Sequence, residues 1–499
     1  MAVNREKGTK KVPPPAVLLC IHLWTPPMTR LYLLPIVFLL AVSFGTLSAD
    51  ERPNVLLITV DDMNCDSVGA FGCKVPDITP NVDRLASQGM RFEHAHVTIA
   101  ICMPTRAVWM TGRYPHRSGA LGFDRINRGV PTLLEELKKA GYFTGIMAKV
   151  PHVVPSRGKA WDVVVKAGEL KAGRDPKLYY EKGKEFFRKA EKSGGPFFLM
   201  ANAQDPHRPF AQSPRETSRR NRRKGGFPGV SRTYKPSEIA LPGFLPDLPK
   251  IRTELAQYFT SVHRADEVVG SVLRALDEAG HTDNTIVMFM SDHGMPLPFA
   301  KTNCWYHSTR TPWIVRWPDK VKAGSHEEKH FISGIDLAPT ILDAIGLPAM
   351  KGVDGRSFLP VLKGENQAGR THVFTHINRT AGRKEYPMRA VQDKQFGYIY
   401  NGWSDGKTVF RNESQAGLTM KAMRVAAASD AKIAARVKHF LYRTPEELYD
   451  YSADPDARHN LAGDPKYVGQ LAKYRKMMAA HMKSTGDPQA AAFAKVAGK

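Results

Sequence analysis

A chain of 499 residues, 42% of them hydrophobic, can bury one large core and a smaller one, which excludes a lone small binding module and suits an enzyme of two domains. Its 72 basic and 48 acidic residues leave a formal charge of +24, which favours polyanionic partners such as sulfated glycans, nucleic acid or anionic surfaces over basic ones. Part of the excess lies in Arg215, Arg219, Arg220, Arg222, Arg223 and Lys224, beside Gly225 and Gly226, a run that reads as a solvated loop. No interleaved aromatics and no nucleic-acid module accompany it, so a nucleic-acid partner is set aside.

The apolar segment Leu31 to Leu47 follows Arg30 and ends in Ser48-Ala49 before Asp50. Pro35, Ser43 and Gly45 interrupt a stretch already short for a bilayer, so residues 1–49 read as an export leader, with Met28 a possible start, rather than as a membrane anchor. A secreted or periplasmic protein with no lasting membrane span follows, and its mature charge is still near +20. Four cysteines then remain, Cys65, Cys73, Cys102 and Cys304; export permits disulfides, and Cys65 with Cys73 is the closest pair.

Asn54 to Val60 is a nearly continuous apolar run, the pattern of a strand buried on both faces, and it ends in Asp61-Asp62. Thr79-Pro80 starts a helix through Ala86, Pro131 to Ala140 reads as another, and Phe143 to Ala148, Phe197 to Ala203 and Thr285 to Met290 are further buried strands. The longest helical stripe runs from Ile251 to Ala279. This alternation predicts an α/β sandwich around a mostly parallel sheet. After Asp354 to Ser357 it fades into short strands, Val373 to His376 and Met388 to Tyr400, and a final helix from Pro465 to Met482. We therefore expect a catalytic domain over 50–365, a smaller C-terminal α+β domain over 366–485, and a tail over 486–499.

Open α/β sheets place their sites beyond the carboxyl ends of the strands, where Asp61, Asp62, Asp292, His293 and Asp205-Pro206-His207 fall. Adjacent carboxylates buried there repel each other, at a cost of several kcal/mol, unless a cation joins them. Oxygen donors from Asp61, Asp62 and Asp292, with His293 beside them, suit calcium or magnesium better than zinc. Taken singly, Lys149 is a strand-end lysine with a buried stem, His116 a packing or capping residue, and Asp266 a buried structural carboxylate. Asn378 and Asn412 open glycosylation triplets.

The run Cys102-Met103-Pro104-Thr105-Arg106, followed by Thr111-Gly112-Arg113, resembles the signature of the sulfatase family, with Thr105 in place of the usual serine. Asp61, Asp62, Asp292 and His293 match that family's metal positions in order, and Arg106, Lys149, His152, His207 and Lys301 match its catalytic ones. The texts Pro196 to Leu199 and Asp205 to Arg208, Ser291 to Pro298 with Lys301 to Asn303, Tyr386 to Arg389, and Glu447 to Asp450 followed by Asn460-Leu461 are most similar to the sulfamidase branch. The resemblance implies an alkaline-phosphatase-like fold, one bound calcium with Cys102 beside it, and a formylglycine made from Cys102 by a formylglycine-generating enzyme. It also implies hydrolysis of an N-sulfate or O-sulfate on a sulfated saccharide. Phosphonate or phosphodiester hydrolysis on the same frame, or a non-catalytic glycan-binding homologue, are the alternatives.

Overall fold

The computed structural model describes residues 52–153, 160–223 and 226–498; the leader and the choice of start at Met28 lie outside them. The strands are β1 (Asn54–Asp61), β2 (Met90–Phe92), β3 (Ala95–His96), β4 (Phe143–Met147), β5 (Val163–Val165), β6 (Phe197–Pro206), β7 (Thr285–Ser291), β8 (Trp313–Arg316), β9 (Ser325–Glu327) and β10 (Ile332–Ser333), followed by β11 (His372–Arg379), β12 (Glu385–Asp393), β13 (Phe396–Asn401) and β14 (Glu446–Asp450). Eight of them form one sheet in the order β5-β4-β6-β1-β7-β8-β2-β9. The five strands from β5 to β7 in that order run parallel, and β8 pairs antiparallel with both β7 and β2.

The continuous apolar run of β1 is explained by its place at the middle, where both faces are covered. Leu56, Ile58 and Val60 face one core with the helices Pro176–Ser193 and Pro249–Glu278, while Val55 and Leu57 face another with Leu133, Leu137 and Trp109. The second of these helices is the expected long one, and Asp266 inside it is structural, as its place in the apolar stripe predicts. Its carboxylate accepts from the backbone N–H groups of Asn81 and Val82 at 3.1 and 2.8 Å. Those groups open the helix Pro80–Ser87, so Asp266 from a distant helix does the capping expected of Thr79, whose hydroxyl donates to Asp83 instead.

Part of the basic run is helical where a loop was expected: Arg219–Arg223 forms a short helix, and its Asn221 side chain donates to the Arg215 carbonyl in the turn before it. Lys224 and Gly225 lie outside the described residues. Four antiparallel strands, in the order β11-β12-β13-β14, make the second sheet. Met388 to Tyr400 is thus two strands of a hairpin. The helix Val468–Thr485 packs on this sheet, and a last helix, Ala490–Ala497, buries Phe493 beside Tyr398 and Tyr400. Ile377, Met388, Ile399 and Tyr449 of the second sheet belong to the same apolar core as Leu56 and Ile58 of the first. Among the described residues the four cysteines are free, so Cys65 and Cys73 are not bridged, and no helix is long and apolar enough to cross a membrane.

Candidate active site

The parallel strands deliver their acidic ends to one edge. Asp61 closes β1 at an irregularity in its pairing with β6, and Asp62 follows in a left-handed conformation, φ 72°, with its N–H donating to Asp292 Oδ1 at 3.0 Å. Asp292 itself follows β7. His293 Nδ1 donates to the Gly294 carbonyl at 3.0 Å, which leaves the Nε2 lone pair facing inward. That nitrogen lies 3.3 Å from Asp62 Oδ1, 3.7 Å from Asp292 Oδ1 and 3.4 Å from Cys102 Sγ.

Cys102 is the first residue of the helix Cys102–Thr111, whose start lies two residues before Pro104. A proline in the first turn forfeits no intrahelical bond, so the helix tolerates it and still aims its N-terminal end at the acidic edge. The Thr105 hydroxyl donates to the Ile99 carbonyl, a use that serine shares. Gly112 ends the helix at φ 60°, and a Cβ there would meet Val353 Cγ2 at 2.4 Å.

Two lysines brace the aspartates. Lys149, just past β4, pairs with Asp61 Oδ2, and Lys301 donates to both Asp62 oxygens at 2.7 and 2.9 Å and also pairs with Glu413. Arg106 is fully buried, with Thr59 at 2.9 Å, Asn202 at 2.6 Å and Asp292 Oδ2 at 3.1 Å. His207 is part-exposed, its Nε2 4.0 Å from Asp62 Oδ2. His152 sits on the edge of the Phe123 ring, with its Nδ1 buried and unpartnered among the described residues. Every site residue read from the sequence therefore gathers here except the neighbouring Asp205. Its carboxylate turns away to Arg174, at 2.8 Å, and to Arg264, because two buried guanidinium groups outbid the strand-end position.

Burial works to raise the Asp61 carboxyl, but Lys149, Asp292, His207 and Arg106 together hold it well below the usual range. Asp292 goes the other way, pushed well up by burial and by the Asp61 charge. Burial likewise drives the Cys102 thiol well up, with Asp61 adding to it, and lowers His293 to about 4 and His152 to about 3. Lys301 is held well above its ordinary range by Asp62, Cys102 and Glu413, against the effect of burial. Carboxylates that split their ionisation in this way are short of positive charge. Asp61 Oδ1 is buried with no hydrogen-bond partner among the described residues, and Asp61, Cys102, Asp292 and His293 each place a donor atom within 4.8 Å of the others. Asp62, Cys102 and His207 form an overlapping set. The orphaned oxygen and the carboxylate-rich donors fit a hard divalent ion.

A cavity of about 290 Å³ opens over Cys102, walled by Phe123, Thr302, Lys384, Arg411 and Glu413. The last three come from the C-terminal half, and the sequence reading missed them. The only signal was the triplet at Asn412, whose side chain is in fact spent on the Lys301 carbonyl at 3.1 Å. Gln204, donating to Asp61 Oδ2 at 3.3 Å, gave no signal at all.

Comparison with known proteins agrees with this geometry. The Sulfatase family model matches residues 53–347, and the model for the C-terminal region of N-sulphoglucosamine sulphohydrolase matches residues 292–406. The chain is 31% identical to N-sulphoglucosamine sulphohydrolase of Homo sapiens, over 88% of this chain and 91% of that protein. It is 27% identical to an ulvan-active sulfatase of Formosa agariphila, over 88% and 76%. A protein solved with its substrate D-glucosamine-2-N,6-O-disulfate shares the fold at a TM-score of 0.65 and 19% identity, over 88% of this chain and 99% of that one. The phosphonate monoester hydrolase of Agrobacterium radiobacter does so at 0.65 and 18%, over 87% and 96%. With the family model matched over more than half its length and a relative above 30% identity, the chain belongs to the sulfatase family.

Proposed function

We propose that the protein hydrolyses a sulfate group from a sulfated saccharide, a glucosamine N-sulfate first and an O-sulfate ester second. The observation that carries this reading is the seat of Cys102, at the start of a helix, on the floor of a cavity, 3.4 Å from His293 and ringed by three aspartates and Lys301. The human relative is a hydrolase of N-sulphoglucosamine by name and the C-terminal match has the same source, which supports the N-sulfate. Formylglycine, made from Cys102 by a formylglycine-generating enzyme after export, would supply a hydrated aldehyde that attacks sulfur and is regenerated, which a thiol does not do. Calcium, held by Asp61, Asp62, Asp292 and His293 beside residue 102, would supply charge against the nucleophile and the sulfate oxygens.

The chain's own residues supply the remaining work. Lys301 is locked in its cationic form by Asp62 and Glu413, so it offers fixed positive charge to an anion in the cavity. Lys149 does the same from the Asp61 side. Arg106 holds Asp292 in place, tied down by Thr59 and Asn202. His207 reaches from the half-open side, placed to give a proton to the leaving oxygen or nitrogen, while burial keeps His152 neutral, with an unpartnered Nδ1 to offer the substrate. We also assign Lys384, Arg411 and Glu413 to a C-terminal domain beginning near residue 366.

Release of inorganic sulfate from defined heparan, chondroitin and algal oligosaccharides, beside aryl sulfate and phosphate diester controls, tests the reading, together with the intact mass of the Cys102 peptide. Sulfate release with the lighter formylglycine mass is expected. An unmodified peptide and no sulfate release would leave a glycan-binding homologue. Faster diester turnover would favour the phosphonate hydrolase reading, for which the shared fold speaks.

A further inference from the structure

A second group of ligand-type side chains lies outside the sulfatase centre. It joins three parts of the chain: His116 in the short helix Pro115–Ser118 that follows the signature, His376 on β11, and Asp487 just after the helix Val468–Thr485. We infer that His116, His376 and Asp487 form a transition-metal site, for zinc or another imidazole-seeking divalent ion, that staples the C-terminal helix to the segment carrying Cys102.

The donor atoms already converge. His116 Nδ1 is 4.0 Å and His376 Nδ1 3.7 Å from the same oxygen, Asp487 Oδ2, and the three lie within 4.8 Å of one another. Ligands about 2.1 Å from a tetrahedral zinc stand about 3.4 Å apart, so closing the set takes a contraction of about 0.3 and 0.6 Å in the two nitrogen–oxygen separations and of at most about 1.4 Å between the two nitrogens. Neither Nδ1 has a hydrogen-bond partner among the described residues, although the His376 residue is only 1% exposed and the His116 side chain 5%. Unpaired polar nitrogens buried beside a carboxylate are costly unless something positive stands between them.

The surroundings fix the rings in the form a metal needs. His116 Nε2 donates to the Thr485 carbonyl at 3.0 Å, which leaves its Nδ1 lone pair aimed inward. His376 Nε2 meets His481 Nε2 at 3.2 Å, and with His376 as the donor in that contact its Nδ1 lone pair is likewise free. Tyr114 stacks on His376 with centroids 4.7 Å apart and on His116 at 6.1 Å, which holds both planes. Arg389 grips Asp487 through both oxygens, as an outer partner of a ligating carboxylate; Oδ1 also accepts from the Gln489 N–H at 2.9 Å, while Oδ2, the oxygen nearest both imidazoles, keeps a further lone pair. The Arg389 charge opposes the metal's, so a strong chelator is expected to empty the site. Two imidazoles and one carboxylate favour zinc over calcium, the reverse of the oxygen-rich edge around Asp61.

The test uses the full chain carrying Asp61→Asn, which weakens the other centre, stripped with a chelator, loaded with Zn²⁺ or Co²⁺ in excess calcium and desalted. One zinc per chain, cobalt bands of an imidazole-bound ion, and protection of His116 from diethyl pyrocarbonate by zinc are expected. Adding His116→Gln, which keeps a donor for Thr485, should weaken zinc by at least about tenfold and abolish the zinc-dependent rise in Tm. Absence of bound zinc in the parent, or zinc binding and His116 reactivity indifferent to each other, would overturn the inference. If His116→Gln does not fold, the stoichiometry and the protection in the parent decide it alone.

Discussion

At Cys102 the protein sets a thiol where burial and neighbouring carboxylates both disfavour its charged form, so the side chain as encoded is a poor nucleophile. That is the opposite of a thiolate enzyme, whose cysteine is tuned downward. Cys102→Ser should therefore abolish sulfate release, by at least about a thousandfold, while the far-UV spectrum and Tm stay near those of the parent. Near-normal turnover in that variant would contradict the role given to Cys102. Glu413 makes the same point about neighbours. Its own burial works against its charge, yet Lys301 holds it ionised, so the pair persists as a unit inside the cavity.

At the scale of the element, the opening of the helix Pro80–Ser87 depends on a carboxylate about 185 positions away in sequence. Burial raises Asp266 to about 6, with the Val82 and Asn81 N–H groups working against that rise. Asp266→Ala removes the acceptor from two helix-end donors and the Asn81 amide, and should cost about 2 kcal/mol or more in urea unfolding. A loss below about 0.5 kcal/mol would mean that water replaces the carboxylate there.

Across the whole molecule, His307 ties distant parts together. Its Nδ1 is 3.2 Å from Asp66, which lies just beyond β1, and its Nε2 3.2 Å from Asp456, which follows β14. Burial works to lower its pKa, but the Asp456 and Asp66 carboxylates raise it from 6.5 to about 9. The folded state thus binds the proton more tightly than the unfolded chain. The resulting stability, on the order of 3 kcal/mol, is complete below pH 6.5 and is lost as pH rises through about 9. Thermal melts from pH 6 to 10 should show Tm falling over that window, and His307→Gln should flatten the fall. An unchanged slope would place the pH dependence elsewhere.

The central strands and the long helix were legible because a fully covered strand must be apolar throughout and a packed helix must carry a stripe, and both are local patterns. The aspartates after β1 and β7 followed from the rule that strand ends in such sheets face the site, and Cys102 from the text around it. What the sequence did not disclose depended on contacts between remote segments. Arg411 sits in irregular chain and Glu413 opens a single short 3-10 turn, neither with a period of its own, Asp205 was drawn off by Arg174 and Arg264, and the capping of one helix by another leaves no trace at either place. By itself the sequence determined the central strands, the long helix and the residue types that stand at the strand ends, because those follow from side-chain period and type. Only the tertiary structure decided which charges meet, since the ionisation of a buried carboxylate or imidazole is set by neighbours that the linear order does not specify.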